Sequence, residues 1–226
     1  ELFDDFSDGS AHSDFVDADG RLSLQALNED ELLLTGRSIN EIMDIKKYHD
    51  RGYKGQGIKI AILDSGLGEE YLQALADSLN NSPDEEEEED LRRRPMNIIQ
   101  IVDFTKEEGV PSDSFKFAAD VDPTYAVDQL GHGTFVAGLI GSWHPDCPGI
   151  APETQIYILK LFNEDAMTYS AWFLDAFNFV LDNGIDIVNL STSSKDTNDN
   201  PFLDKIDELT GAGVIVVSAI GNDGPT

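Results

Sequence analysis

The feature that most restricts the fold is a regular alternation of two hydrophobic patterns in the second half of the chain. Residues 155–162 and 185–190 are short apolar runs, typical of buried β-strands. Residues 170–181 and 201–210 instead place their apolar side chains on one face at helical spacing, and a further apolar run begins at Val214. Strands that alternate with helices form a parallel sheet. The sequence therefore predicts an α/β fold whose parallel sheet is covered by helices on both faces.

Polar residues lie at the ends of two predicted strands and beside a glycine-flanked histidine. The apolar run 58–63 ends at Asp64, and the mainly apolar run 213–221 precedes Asn222. His132 lies between two glycines, at the start of an apolar stretch that predicts a buried helix. Histidine suits proton transfer near neutral pH, and open α/β sheets form their sites outside the carboxyl ends of the strands. We therefore expect these three side chains to meet in one site.

Composition excludes several classes of protein. The 226 residues carry a net charge of −29, which argues against nucleic-acid binding because clustered Lys and Arg would be needed. The single cysteine, Cys147, excludes an intrachain disulfide and a zinc site with several cysteines. No apolar run approaches the roughly 18 residues that span a bilayer, and no signal-peptide pattern is visible. Gly55 and Gly57 precede a predicted strand instead of following one, so they do not form a dinucleotide-binding loop.

Two acidic segments lie outside the predicted sheet. Residues 1–37 are rich in Asp, Ser and Gly, and predict a flexible leader or the remnant of a propeptide. A helix is predicted directly after this leader, with a left-handed cap at Gly52, and residues 38–226 are predicted to form the domain. Residues 78–95 carry a dense acidic block and predict an inserted surface loop, which a strand at 96–104 follows.

Three stretches together resemble the motifs of the subtilisin-like serine proteases, the subtilases (peptidase family S8). They are IKIAILDSG at 58–66, GHGTFVAGLI at 131–140 and GVIVVSAIGNDGP at 213–225. The resemblance runs from about residue 39 to residue 226, with a break at about 72–120. Within the family it is greatest to the site-one protease subfamily. It implies a subtilisin-like fold, represented here by its N-terminal two-thirds, and a serine endopeptidase that is secreted or works in the ER or Golgi.

The resemblance assigns a role to each of the three polar residues. His132 is implied to be the general base, Asp64 the carboxylate that orients the imidazole, and Asn222 a side-chain donor to the oxyanion. Each residue also has a structural explanation: a core histidine, an Asp that caps a turn, and an Asx turn with Gly224. The coincidence of three motifs favours the catalytic interpretation.

The segment that begins at Ser191 resembles the substrate-binding edge of the family. Ser191, Thr192 and Ser193 are implied to pair with an extended peptide through main-chain hydrogen bonds. The family usually has glycines at the positions of Ser193 and Ser194, so the added side chains are expected to narrow the pocket for the residue before the scissile bond. Tyr169 resembles an aromatic residue that borders a more distant subsite, although core packing explains it equally well.

The sequence departs from the family at the nucleophile and at a calcium loop. The nucleophilic serine of the family lies in a Gly-Thr-Ser context, which does not occur among the 226 residues, so the chain by itself is predicted to be incomplete and inactive. A pseudoprotease that binds peptides without cutting them is the alternative. The chemistry needs no cofactor; the resemblance allows a structural calcium ion, but residues 143–148 are too short for the calcium loop of many bacterial relatives. We expect a monomer whose partner is an extended peptide or protein substrate.

Overall fold

The structure is a computed structural model that describes residues 39–80, 96–106, 126–144, 147–192 and 199–221. Contacts within the chain divide these residues into two compact units, 39–53 and 54–221. The predicted leader and most of the predicted acidic loop lie outside the described residues. The predictions for those two segments, and for the boundary between leader and domain, therefore stay predictions.

The smaller unit holds two short helices where the sequence predicts one. Helix α1 spans Ile39–Ile42 and helix α2 spans Lys46–His49. The break lies at Asp44, whose φ of 53° takes its backbone out of the right-handed helical region. Gly52 has a φ of 84°, the left-handed conformation that the predicted cap requires, so this part of the prediction is confirmed.

A parallel sheet of five strands forms the centre of the larger unit, as the alternating pattern predicts. In chain order its strands are β1 Lys59–Asp64, β2 Ile98–Asp103, β3 Gln155–Lys160, β4 Ile187–Leu190 and β5 Ile215–Ser218. Their order across the sheet is β2-β3-β1-β4-β5, and every neighbouring pair is parallel. Strand β1 is therefore central, and all five carboxyl ends lie along one edge of the sheet.

Helices cover both faces of this sheet, which confirms the predicted architecture. They are α3 Glu69–Asn80, α4 His132–Gly141, α5 Ser170–Asp182 and α6 Asn200–Gly211. On one face Leu63 packs in a cluster with Phe173 of α5 and Leu209 of α6. On the other face Ile62 packs in a cluster with Leu72 of α3 and with residues of α4. The alternation of apolar side chains along β1 thus supplies both halves of the core.

Two apolar stretches are less buried than the sequence predicts. In β5, Ile215 is 60 % and Val217 is 52 % exposed, because this strand lies at an edge and no described element covers the face on which these side chains lie. Helix α4 buries Val136 but leaves Phe135 52 % exposed, so it is buried on one side only. The prediction of a buried strand was wrong at Ile215 and Val217, and the predicted buried helix is buried on one side only.

Helix α3 was missed by the sequence prediction. Leu72, Leu75 and Ala76 have the spacing of one helical face, and all three are buried. The neighbouring acidic block favoured a loop interpretation and concealed this short pattern. The helix continues to Asn80, so the start of the predicted loop 78–95 was placed too early.

Candidate active site

The carboxyl edge of the sheet brings two of the three predicted catalytic residues together. Asp64 is the last residue of β1 and is only 3 % exposed, whereas His132 is the first residue of α4. The Nδ1 atom of His132 lies 2.9 Å from each carboxylate oxygen of Asp64. Because a carboxylate can only accept, Nδ1 carries the hydrogen and Nε2 is left to accept a proton. The side chain of His132 is 51 % exposed, so a substrate can reach the ring.

The hydrogen bond with Asp64 controls the proton affinity of His132. This bond raises the pKa of the imidazole, burial opposes the increase, and the negative charges of Asp64 and Asp128 add to it. The site therefore stabilises the imidazolium, the form that a general base takes after it has accepted a proton. Above the raised pKa the imidazole is neutral and able to act as a base; below that pKa it is already protonated.

Ser65 connects the Asp64 strand to the His132 helix. Its backbone N–H donates to Asp64 Oδ1 at 2.8 Å, and its hydroxyl oxygen accepts from the backbone N–H of Gly133 at 2.9 Å. The two segments approach so closely that a Cβ added at Gly133 would lie 2.6 Å from the carbonyl oxygen of Gly66. Glycine is therefore required directly after the histidine, because any side chain would push α4 away from Asp64.

Asp128 fixes the loop that carries His132, and the sequence prediction did not single it out. Its Oδ1 accepts from the backbone N–H groups of Leu130 and Gly131, at 3.0 and 2.9 Å. Its Oδ2 accepts from the backbone N–H and the hydroxyl of Thr134, at 2.8 and 2.6 Å. Burial raises the pKa of this carboxyl, but the hydrogen bonds outweigh burial and hold the pKa below its ordinary value. An Asp that accepts from the N–H groups two and three residues further along the chain forms an Asx turn. This sequence pattern could have identified Asp128.

Replacing Asp128 with alanine is expected to lower the free energy of unfolding by about 1–2 kcal/mol, the usual cost of losing a helix-capping carboxylate. Because the folded carboxyl has a depressed pKa, its contribution is present above the ordinary pKa and is lost as the pH falls through the depressed one. Urea unfolding at several pH values measures both effects. Asp175→Ala, an exposed change on α5, is the control; equal stability of the two variants would contradict the capping role.

The predicted substrate-binding residues lie at the same edge of the sheet, as far as the structure describes them. Ser191 directly follows β4, the neighbour of β1, and its hydroxyl donates to Asn189 Oδ1 at 2.8 Å. The Oγ1 atom of Thr192 is buried and has no hydrogen-bond partner within the described ranges. Ser193 and Asn222 lie outside the described residues, so their positions stay predictions.

Tyr169 lies immediately before α5, where its backbone is extended. Its side chain is exposed, and its ring packs edge-on against Trp172 with 4.7 Å between the ring centres. Exposure of this kind argues against the core-packing explanation. The role of Tyr169 at a substrate subsite stays a prediction.

The possible structural calcium site stays a prediction. Across the described stretches of the chain, no group of three His, Cys, Asp or Glu side chains could hold a metal ion. Cys147 is exposed and unpaired. The loop 143–148 is described only in part, because residues 145 and 146 lie outside the described ranges.

A parallel α/β sheet that carries a hydrogen-bonded Asp–His pair at its carboxyl edge is an arrangement found in hydrolases that use a histidine as general base. The model of the subtilase family matches residues 55–226. The chain therefore belongs to the subtilase family, whose members are serine peptidases, as its motifs predict.

Several characterised relatives agree with this membership. The chain is 33 % identical over 216 residues to the membrane-bound transcription factor site-1 protease of Homo sapiens, a match that covers 96 % of the chain and 16 % of the relative. It is 49 % identical over 98 residues to the subtilisin-like protease SBT6.1 of Arabidopsis thaliana, covering 43 % of the chain and 9 % of the relative. It is 29 % identical over 187 residues to the minor extracellular protease Epr of Bacillus subtilis, a match that covers 81 % of the chain and 23 % of the relative. The chain thus spans less than a quarter of the length of each of these three relatives, and the predicted similarity to site-one proteases is confirmed.

Proposed function

We propose that this protein is a serine endopeptidase in which Asp64 and His132 activate the nucleophile. The observation that carries the proposal is the 2.9 Å contact of His132 Nδ1 with Asp64, at the carboxyl end of the central strand in a chain of the subtilase family. As a serine hydroxyl attacks the peptide carbonyl, its proton passes to Nε2 of His132. Asp64 stabilises the resulting imidazolium, which then gives the proton to the leaving amine.

Asn222 is the proposed donor to the oxyanion that forms during this attack. The carbonyl oxygen becomes negative in the tetrahedral intermediate, and one such donor contributes about 3–4 kcal/mol, a magnitude known from a subtilisin of the same family. Two observations support this role for the residue after Gly221. The N–H of Ala219 donates to Leu190 O at 2.9 Å, which keeps the end of β5 beside β4, and Gly221 has a left-handed φ of 91°.

The proposed substrate is a peptide segment that lies extended beside residues 191–193. An extended substrate gains main-chain hydrogen bonds along a strand edge, while side-chain pockets provide selectivity. The relatives include one protease named for membrane-bound transcription factors and one named as extracellular. We therefore propose a processing protease of the secretory pathway or the cell exterior. In the part of the chain that the structure describes, no helix has the length and apolar character to cross a membrane.

Active-site labelling tests the proposal directly. A fluorophosphonate reacts with an activated serine, and peptide mapping of the labelled full-length protein then identifies the residue. We expect one serine to be labelled, and labelling to disappear in a His132→Ala variant because the hydroxyl is no longer activated. A full-length protein that is folded but neither labelled nor able to hydrolyse peptides would contradict the proposal.

A pseudoprotease is the second candidate, favoured by the position of Ser191 at the end of β4, the neighbour of the strand that ends at Asp64. In this alternative the edge of β4 binds peptides without cutting them. Labelling distinguishes the two functions, since a pseudoprotease retains peptide binding but offers no reactive serine.

A further inference from the structure

Lys160 is a buried lysine that contacts both loops of the Asp–His pair. It is the last residue of β3 and is 5 % exposed. Its Nζ atom donates to the carbonyl oxygen of Ser65 at 2.6 Å and to that of Val127 at 3.1 Å. Ser65 directly follows Asp64, and Val127 directly precedes Asp128. One ammonium group therefore connects the loop that carries the orienting carboxylate to the loop that leads into His132.

Among the described residues, two backbone hydrogen bonds join the two loops near this ammonium group. The N–H of Leu67 donates to Ala126 O at 3.2 Å, and the N–H of Asp128 donates to Leu67 O at 2.9 Å. Both of these bonds lie on the far side of Gly66 from Asp64. The hydroxyl of Ser65 is bonded to the N–H of Gly133, which ties this side of the loop to α4. Lys160 adds a bond to the main-chain carbonyl of Ser65 and joins it to Val127, so it restrains the backbone that the other bonds leave out.

Packing alone does not require a charge at this position. Burial lowers the pKa of the Lys160 ammonium, because a charged group loses hydration inside the protein. The facing carboxylates of Asp103, Asp128 and Glu164 favour the charge, and Lys106 opposes it. An apolar side chain of similar length would fill the same space without this desolvation cost. The charged side chain is therefore best explained by the two carbonyl oxygens that it holds.

We propose that Lys160 is a positioning residue: its ammonium group clamps the Asp64 loop to the Asp128 loop and thereby fixes His132 against Asp64. The inference rests on the proposed peptidase function for its effect on rate, but not for its effect on geometry. Without the clamp, both loops gain freedom and the Asp64–His132 hydrogen bond is populated for less of the time. Because that bond is the largest cause of the raised pKa of His132, loosening it lowers that pKa.

The test compares Lys160→Met with Lys59→Met in the full-length protein. Lys59 is a matched control, since its Nζ also donates to a backbone carbonyl, that of Asn183 at 2.8 Å, but at the amino end of β1. The first readout needs no activity: the pH dependence of carbethoxylation of His132 by diethylpyrocarbonate, followed by peptide mass mapping, reports its pKa. The second readout is kcat and KM for an extended peptide.

We expect Lys160→Met to lower the pKa of His132 and to lower kcat by roughly 10- to 100-fold, the usual effect of a small misplacement of a catalytic group. KM is expected to change little, because the substrate does not contact Lys160, and Lys59→Met is expected to match the wild type in both readouts. A wild-type titration in Lys160→Met would overturn the proposal. An increase in the pKa of His132 would also overturn it, because Lys160 would then act only as a nearby charge.

Two further outcomes concern a wild-type protein without activity and a variant that does not fold. If the wild-type protein hydrolyses no peptide, the proposed function fails, whereas the titration of His132 still tests the clamp. If Lys160→Met does not fold, Lys160→Gln replaces it, since the amide keeps N–H donors but is shorter and neutral. We expect the pKa of His132 in Lys160→Gln to be lower than in the wild type. If that pKa does not decrease, the proposal that Lys160 clamps the two loops is overturned.

Discussion

Replacing His132 with alanine is expected to abolish peptide hydrolysis by the full-length protein. The value of kcat/KM should fall by about 10⁴-fold, the upper end of what a positioned base contributes. Asp64 cannot take over this role, because its carboxylate is buried behind the imidazole and is itself a hydrogen-bond acceptor for Ser65. KM should change much less than kcat, because main-chain pairing of the substrate does not involve the imidazole. The measurement is the steady-state hydrolysis of a peptide by the variant and the wild type.

The matched control for this change is His144→Ala, which removes an exposed imidazole that lies beyond the end of α4. This variant is expected to keep wild-type turnover. Undiminished turnover in His132→Ala would refute the assignment of the general base. A pseudoprotease would give a different result, with no turnover in any of the three proteins and peptide binding retained in all of them.

The fold could be predicted because hydrophobic spacing reports local geometry directly. Phe173 and Phe177 lie four residues apart, so a helix places them on one face, and both are buried against the sheet. Spacing does not report whether another element covers a face. Ile215 and Val217 belong to a continuous apolar run that is typical of a buried strand, yet they are exposed because no described element covers their face.

The Asp64–His132 pair could be predicted for a related reason. A residue at the end of a parallel strand must lie at the carboxyl edge of the sheet, and the three motifs together predicted that His132 meets Asp64 there. Lys160 carried no such signal: it bonds Ser65 across 95 residues of sequence, and only the register of β1 with β3 makes them neighbours. Long-range contacts of this kind follow from the assembled sheet, not from any local pattern.

Replacing Asp64 with asparagine is expected to lower catalysis about as much as His132→Ala does. Asparagine keeps the size of the side chain but turns an acceptor into a group that can donate to Nδ1. The imidazole hydrogen then moves to Nε2, where it blocks acceptance of the serine proton, and the equivalent change in a serine protease of unrelated fold lowers kcat about 10⁴-fold. Hydrolysis of the same peptide by Asp64→Asn measures this loss. Asp186→Asn is the control, because that carboxylate accepts from the N–H of Lys59 at 2.9 Å, at the opposite edge of the sheet.

The pH dependence of activity is also expected to change in Asp64→Asn. The hydrogen bond with Asp64 raises the pKa of His132, so its removal should lower that pKa. In the wild type, activity falls as the pH drops through the raised pKa, because the base becomes protonated. In Asp64→Asn this acid limb should lie at lower pH. The maximal rate is lower in the same variant, for the reason given above. Carbethoxylation of His132 should also begin at lower pH than in the wild type. A limb that stays at the wild-type pH would show that the 2.9 Å contact with Asp64 does not raise the pKa of His132.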